Sequence, residues 1–396
     1  MRIESIKLKN FKAFQDVHIK DIPPFCVVIG ANGTGKSTLF DVFRFLKHCL
    51  NSNVRKALQD RGGFHEVVSR GHDDESILIE IQFKMDIGGT NRLVKYSLEI
   101  AQENKQPFVK REFLRYKIRR YGSPYYFLNF ENGEGYAITN EEDFSIKDEA
   151  PDREQQKLDA SYILAIKGLG QFDRFKAASG FRKLIENWHI SDFHIETARG
   201  SNGIIGEDQH VSESGDNIAR VARNYAENHD PIFNAIKTKM KQRVPGIASV
   251  DSKVTEDGRL LLKFGDQAFK EPFVDRYVSD GTIKMFAYLL LLNDPAPHPV
   301  LCVEEPENQL YLGLLPELAE EFESYTQRGG QVFVSTHSPD FLNAVPLKSV
   351  YWLKKQSGYT IVERAEDDPQ IKSFVDSGDK MGTLWKQGSF LGVDPR

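Results

Sequence analysis

Apolar and polar residues alternate along much of the first third of the chain. Ile3 to Leu8 alternates as a half-buried strand does, and Val17 to Ile19 reads as its partner. The alternation returns at Ile77, Ile79, Ile81 and Phe83, and Leu93 to Ile100 and Phe108 to Tyr121 also read as strands. Two segments break this rhythm. Phe25 to Ile29 is a continuous apolar run, the pattern of a strand buried on both faces. Thr38 to Leu46 is apolar at helical spacing. Residues 131–157 are acidic and polar, so an exposed loop or domain edge is expected. Residues 158–190 and roughly 215–243 read as helical. Neither keeps an a/d heptad over several repeats, which argues against long coiled-coil arms. Residues 249–264 read as a hairpin turning at Glu256-Asp257-Gly258. The last third alternates helix and strand: helix from Thr282 to Leu292, strand from Val300 to Val303, helix from Leu312 to Tyr325, strand from Gln331 to Ser335. That order predicts parallel strands with crossover helices. The strands at 25–29 and 300–303 would share one sheet, with the middle of the chain as a long insertion.

Between the run at 25–29 and the helix at 38–46 lies Gly30-Ala31-Asn32-Gly33-Thr34-Gly35-Lys36-Ser37, a match to G-x-x-x-x-G-K-[ST]. Strand, glycine loop and helix together make a phosphate-binding loop. Its backbone N–H groups wrap a phosphate chain, Lys36 reaches the β/γ-phosphates, and the Ser37 hydroxyl faces Mg²⁺. The pattern therefore predicts nucleoside triphosphate binding.

Composition changes this picture little. The chain has 396 residues, 40% hydrophobic and 28% charged, with a net charge of −5, so any nucleic-acid contact must come from a local patch. The three cysteines, Cys26, Cys49 and Cys302, have no paired spacing, which argues against a disulfide framework and against a zinc site. Met1-Arg2-Ile3-Glu4 is no signal peptide. The longest apolar run, Met285 to Leu292, falls short of the ~18 residues a bilayer span requires. A soluble, cytoplasmic protein with no membrane contact is expected.

Three further constellations carry chemistry. Val300-Leu301-Cys302-Val303 ends in Glu304-Glu305-Pro306-Glu307: a buried strand delivering carboxylates at its C-terminal edge, where ligands of open α/β sheets bind. The first carboxylate would hold Mg²⁺ and the second would activate water; the plainer alternative is acidic residues gathered at a helix N-terminus. Gln331 to Thr336 is another buried strand, and it delivers His337, placed to touch a γ-phosphate, before Ser338 and Pro339 begin a helix. Ser279-Asp280-Gly281 precedes an apolar helix; alone it is an N-cap and turn, and in context it is a second phosphate site. One chain would then have two such sites and one phosphate loop, which a head-to-tail dimer resolves.

This order of motifs resembles ABC-type ATPase heads, and more narrowly the RecF/OLD/SMC-like ATPases of bacteria. The resemblance rests on Ile6 to Phe14, Tyr277 to Thr282 and Glu304 to Asn308, and covers residues 1–50 and 270–365. It implies a P-loop NTPase of α/β class, an ABC-type ATPase head with a mixed or parallel central sheet, N-terminal antiparallel strands and a mainly helical insertion. It implies ATP and Mg²⁺ as ligands. Gly30, Asn32, Gly33, Thr34, Gly35, Lys36, Ser37 and Thr38 would hold phosphate, with Ser37 and Glu304 at the metal. Glu305 would be the general base and His337 the switch histidine, acting with Lys36; Ser279, Asp280 and Gly281 would act in trans. Glu304 stands where Asp is usual, so its Mg²⁺ contact is expected through water, and the signature reads Ser-Asp-Gly rather than Ser-Gly-Gly. Gln82 and Gln171 are the candidates for the Q-loop glutamine. The division expected is 1–130 and 246–365 as the two parts of the head, 131–245 as the insertion and 366–396 as a tail.

The best basic stretch runs from Lys110 to Arg120. As a strand it puts Arg111, Arg115, Lys117 and Arg119 on one face with Phe113, and Lys237, Lys239, Lys241 and Arg243 form a second cluster. Such faces either track DNA phosphates or are solvated and balanced by the acidic stretch. Relatives of this group serve DNA repair, chromosome maintenance or phage defence. About 30 residues follow Arg364, so no TOPRIM-like domain is expected and a nuclease or toxin effector would be a separate chain. Three rivals remain. A transporter ATPase subunit conflicts with the 243 positions between Lys36 and Ser279. An SMC-like chromosome protein lacks its arms. A nuclease lacks a second metal cluster.

Overall fold

The computed structural model describes residues 2–87, 89–117, 123–140, 152–193, 195–199, 208–256 and 260–393. A hairpin of β1 (Arg2–Phe11) and β2 (Phe14–Ile19) leads to β3 (Phe25–Gly30) and helix α1 (Lys36–Asn51). A meander follows: β4 (Ile77–Ile87), β5 (Thr90–Glu103), β6 (Gln106–Tyr116), β7 (Tyr125–Glu131), β8 (Glu134–Ile138) and β9 (Arg153–Lys157). The middle of the chain carries α2 (Lys176–Glu186), β10 (His189–Ser191), α3 (Ile218–Asn228) and α4 (Asp230–Arg243). Next come β11 (Ile247–Val254), β12 (Leu260–Asp266), β13 (Phe273–Val274), α5 (Asp280–Leu292) and β14 (Leu301–Glu304). The chain continues through α6 (Leu315–Gln327), β15 (Val332–Ser335), β16 (Val350–Gln356) and β17 (Tyr359–Arg364).

The strands form an antiparallel sheet in the order β2-β1-β4-β5-β6-β7-β8-β9, a sheet in the order β10-β14-β15-β3-β16-β17, and a small sheet β11-β12-β13. In the second sheet all neighbours are parallel except β16 and β17. The strands beginning at Phe25 and Leu301 therefore do share one sheet, with β15 between them. β3 is buried at every position because both of its faces are covered. Cys26 and Val28 face a core shared with α1 and the antiparallel sheet, while Val27 and Ile29 face a second core built on α5 and α6. Phe43 of α1 fixes the first layer: its ring lies 5.2 Å from Trp188 and 5.1 Å from Phe333. Truncating such an aromatic side chain costs about 3–5 kcal/mol. α5 is buried from Thr282 to Leu292 all round, as its unbroken apolar sequence requires.

Two expectations need correction. The acidic stretch 131–157 is not simply a loop. It supplies β8 and, at the edge of the sheet, β9, in which every second residue is exposed, so charge marks the solvent face of a strand there, while residues 141–151 lie outside the described residues. Residues 158–190 are only partly helical. Their last residues form β10, pulled into the parallel sheet by pairing of Ile190 with Cys302. The hairpin over 249–264 is present, but its expected turn at Asp257 and Gly258 lies outside the described residues, as do residues 118–121 of the expected strand to Tyr121. Inside the antiparallel layer, Glu112 is fully buried and accepts hydrogen bonds from the Ala165 and Ile166 amides at 2.5 and 3.1 Å and from Tyr96 Oη at 3.1 Å. Burial pushes its carboxyl up to about 7, so this group ties the sheet to the helix at Ala165 at the cost of holding its proton near neutrality.

Candidate active site

β3 ends at Gly30, the loop turns, and α1 begins at Lys36. Gly33 and Gly35 have φ of 76° and 103°, the left-handed region that glycine adopts without strain. A Cβ on Gly30 would lie 2.6 Å from Thr34 Oγ1 and 2.7 Å from the Leu353 carbonyl, so the loop closes tightly because that position is bare. Thr34 Oγ1 donates to the Ala31 carbonyl at 2.8 Å and Thr360 Oγ1 donates to the Thr34 carbonyl at 2.6 Å. Lys36 Nζ is buried and reaches back to the Gly30 and Ala31 carbonyls at 2.8 and 3.2 Å, while Asn32, Gly33 and Ser37 stay exposed at the mouth. Burial lowers the Lys36 pKa, against the opposing pull of Glu305, Glu307 and Glu304.

The strand order brings the other motifs beside this loop. β14 ends in Glu304 and β15 ends before Thr336 and His337, next to β3. Glu305 takes φ of 45°, an uncommon region for a side chain of this kind, while its N–H donates to the Ser335 carbonyl at 2.9 Å. His337 Nε2 lies 3.4 Å from Glu305 Oε1. Burial, with Lys36 adding repulsion, lowers the His337 pKa and favours the neutral imidazole. Glu304 Oε1 is held by Arg44 Nη1 at 2.7 Å. Mg²⁺ prefers hard oxygen ligands, and the Ser37 hydroxyl and Glu304 carboxylate are of that kind, so the donor set fits it. There the ion would neutralise phosphate charge.

Ser279 caps α5: its Oγ accepts from the Thr282 amide at 3.3 Å and lies 2.8 Å from Thr282 Oγ1. A Cβ on Gly281 would sit 2.9 Å from the Gln309 carbonyl, so the bare glycine lets the Ser279-Asp280-Gly281 turn lie against the loop after Glu305. Ser279 is exposed, and near it in sequence Tyr277 is 71% exposed; across the loop Tyr311 and Leu312 are 73% and 58% exposed.

Four residues enter the site without a role assigned from sequence. Glu307 Oε1 accepts from Thr336 Oγ1 at 2.8 Å and from the His337 amide at 2.6 Å, bracing the two strand ends. Burial raises its pKa. Arg44 holds Glu304. Lys284 Nζ donates to the Asn308 carbonyl at 2.7 Å, and Asn308 Nδ2 donates to Glu305 Oε2 at 2.9 Å. This chain links the signature helix to the carboxylate beside His337. A lysine inside the most apolar helix of the sequence was the available signal. Burial pushes the Lys284 ammonium down to about 8, opposed by Glu307, Glu305 and Asp192. Lys284→Met is expected to lower kcat about tenfold with the KM for ATP unchanged, through loss of one charge-assisted hydrogen bond. The wild-type rate should fall as pH rises through about 8, where Lys284 loses its charge, and the Met variant should lack that limb. Steady-state kinetics across pH check both.

The remaining candidates divide. Gln82 sits within β4 opposite Ser5 and Lys95, and Gln171 Nε2 donates to the Lys167 carbonyl; neither has a described contact with the P-loop. Arg111 and Arg115 do share a face with Phe113, their guanidiniums 5.2 and 5.4 Å from its ring and 5.9 and 5.5 Å from that of Tyr126. Lys117 is exposed at the end of that face, and Arg119 lies outside the described residues. The second basic cluster is partly neutralised: Lys239 and Arg243 reach Glu321 at 2.7 and 2.6 Å.

A family model described as "AAA domain, putative AbiEii toxin, Type IV TA system" matches residues 25–343, a span running from β3 past His337. The chain belongs to this AAA-domain family. It is an ATPase of the AAA/ABC type, and the P-loop, Glu304-Glu305 and His337 all fall within the match. Two solved structures share the fold. One is an SMC head bound to the C-winged-helix domain of ScpA, with a TM-score of 0.58 and 14% identity over 92% of this chain and 98% of that one. The other is an Smc head with an extended coiled coil bound to the C-terminal domain of ScpA, derived from Pyrococcus furiosus. It gives a TM-score of 0.52 and 14% identity over 95% of this chain and 99% of that one. The ABC-type head expected from the motif order is thus the fold observed. No helix among the described residues is long and apolar enough to cross a membrane, and the longest labelled helix, α1, has 16 residues.

Proposed function

We propose that this AAA-family protein is an ATP-hydrolysing switch that dimerises head-to-tail around ATP. One observation carries the reading. Lys36 begins α1 at the end of the loop after β3, and Glu305 and His337 follow the neighbouring strands β14 and β15, while Ser279 is exposed, as are Tyr277, Tyr311 and Leu312. The P-loop of one protomer would cradle the triphosphate and the Ser279 turn of its partner would cap it. Glu305 would take the proton of the attacking water, with neutral His337 orienting the γ-phosphate and Lys36 stabilising its charge. Asp280 would share the capping turn, and Ser37 with Glu304 would hold the ion.

The biological setting we infer is genome maintenance or phage defence, with a separately encoded effector. The family description, which names a toxin of a toxin–antitoxin system, supports the defence setting. DNA is the proposed trigger, engaged by Arg111, Arg115 and Lys117 beside Phe113 and Tyr126, a face whose aromatic and cationic groups suit stacking and phosphate contact. ATP hydrolysis measured with and without duplex DNA tests this. Stimulation by DNA that disappears in Arg111→Glu/Arg115→Glu is expected. Hydrolysis indifferent to DNA would move the trigger to a protein partner.

A further inference from the structure

His210, Asp294 and His298 meet away from the phosphate loop, and one ligand-type atom from each lies within 4.8 Å of the others. Asp294 follows the C-terminus of α5, His298 leads into β14 from its start, and His210 belongs to the segment before α3. The 13 residues of α5 put about 20 Å between Ser279 and Asp294, so the cluster is at the opposite end of the signature helix from the nucleotide motifs.

An ion pair accounts for part of this arrangement. Asp294 is fully buried; its Oδ2 lies 2.6 Å from His210 Nδ1, and its Oδ1 accepts from the Ala296 amide at 2.8 Å. It does not account for the imidazoles. His298 Nε2 is buried with no hydrogen-bond partner, and so is Nε2 of His189, a residue only 3% exposed. The His189 and His298 rings stack with centroids 4.7 Å apart, and His210 lies 5.2 Å from His298. Leaving such a nitrogen unpaired costs about 1–3 kcal/mol.

We propose that His210, Asp294 and His298 bind a Zn²⁺ ion, with the His189 ring buttressing His298. Two imidazole nitrogens and one carboxylate oxygen suit Zn²⁺, whereas Mg²⁺ and Ca²⁺ need more oxygens. The Ala296 amide on Oδ1 is the kind of outer contact that aims a metal-binding carboxylate. The fourth position opens to water on the side of His210, whose side chain is 42% exposed. The ion fastens the segment before α3 and the edge strand β10 to the far end of the signature helix.

The full chain, dialysed against Zn²⁺ with excess Mg²⁺ present, should retain one Zn²⁺ per chain by elemental analysis. Zn²⁺ affinity, read against a competing chromophoric chelator, should fall at least about tenfold in His298→Ala and in His210→Ala. His210 is at the surface, so its variant keeps the fold even where His298→Ala does not, which circular dichroism reports. Co²⁺ added to the wild type should give visible d–d absorption of a low-symmetry N/O site, with no variant needed. Equal Zn²⁺ affinity in wild type and His210→Ala, or no retained Zn²⁺ and no Co²⁺ band in wild type, would overturn the assignment.

Discussion

Glu305→Gln is expected to cut ATP turnover by about 100-fold or more, the range lost with a general base, while leaving ATP affinity near wild type. The substitution keeps the shape of the side chain. It changes what Oε1 offers to the His337 side, 3.4 Å away, from a charged acceptor to an amide that takes up no proton from water. The cradle formed by Gly30, Lys36 and Thr34 is made of other residues and stays intact. Because nucleotide still binds and is not consumed, the variant should also accumulate as an ATP-dependent dimer, visible as a doubled mass by light scattering. Turnover within a few-fold of wild type would remove Glu305 from the reaction and pass the role to Glu307. Glu307 is the neighbouring carboxylate whose pKa burial already raises and whose Oε2 has no partner.

The parts of this site legible in the sequence are those whose chemistry is local in the chain. The P-loop announces itself because a glycine turn, Lys36 and Ser37 must be contiguous to wrap a phosphate. β3 and β15 announce themselves because strands covered on both faces must be apolar throughout. What spacing hides is what depends on partners distant in sequence. Arg44 looks like an exposed helical cation until β14 brings Glu304 to it across 260 positions. Glu307 looks like one more acidic residue at a helix start until Thr336 and the His337 amide arrive from β15. β10 is three residues long, too short for a periodic signal, and it exists because the edge of β14 has unpaired backbone groups to satisfy. The pair β16 and β17 also escaped the pattern reading, yet β16 lies beside β3 and Thr360 of β17 bonds the P-loop. The acidic stretch shows the opposite failure: its charge density reads as loop, but an edge strand with one wet face carries the same composition.

The head-to-tail geometry has a sharper consequence than any single substitution. Lys36→Ala leaves a chain that cannot hold the triphosphate but keeps Ser279, and Ser279→Arg leaves a chain that holds it but cannot cap its partner. Each should be inactive alone, because in a symmetric dimer both composite sites carry the same lesion. Mixed one to one, half of the dimers pair the two kinds of chain. In each mixed dimer one site joins an intact Lys36 with an intact Ser279, and the other carries both lesions. Independent sites then restore about a quarter of wild-type turnover, a value fixed by the two-fold symmetry alone. The structure favours this test over simple loss of activity. Ser279 is exposed at the start of α5 and hydrogen-bonds locally to Thr282, so an arginine there extends into solvent and leaves the buried helix intact. Lys36 is bound to the carbonyls of its own loop, so its loss stays local too. Recovery on mixing would require that nucleotide touches both chains. No recovery, with both proteins folded and Ser279→Arg still binding ATP, would mean that each head completes its site within one chain. The exposed Tyr277, Tyr311 and Leu312 would then need another partner.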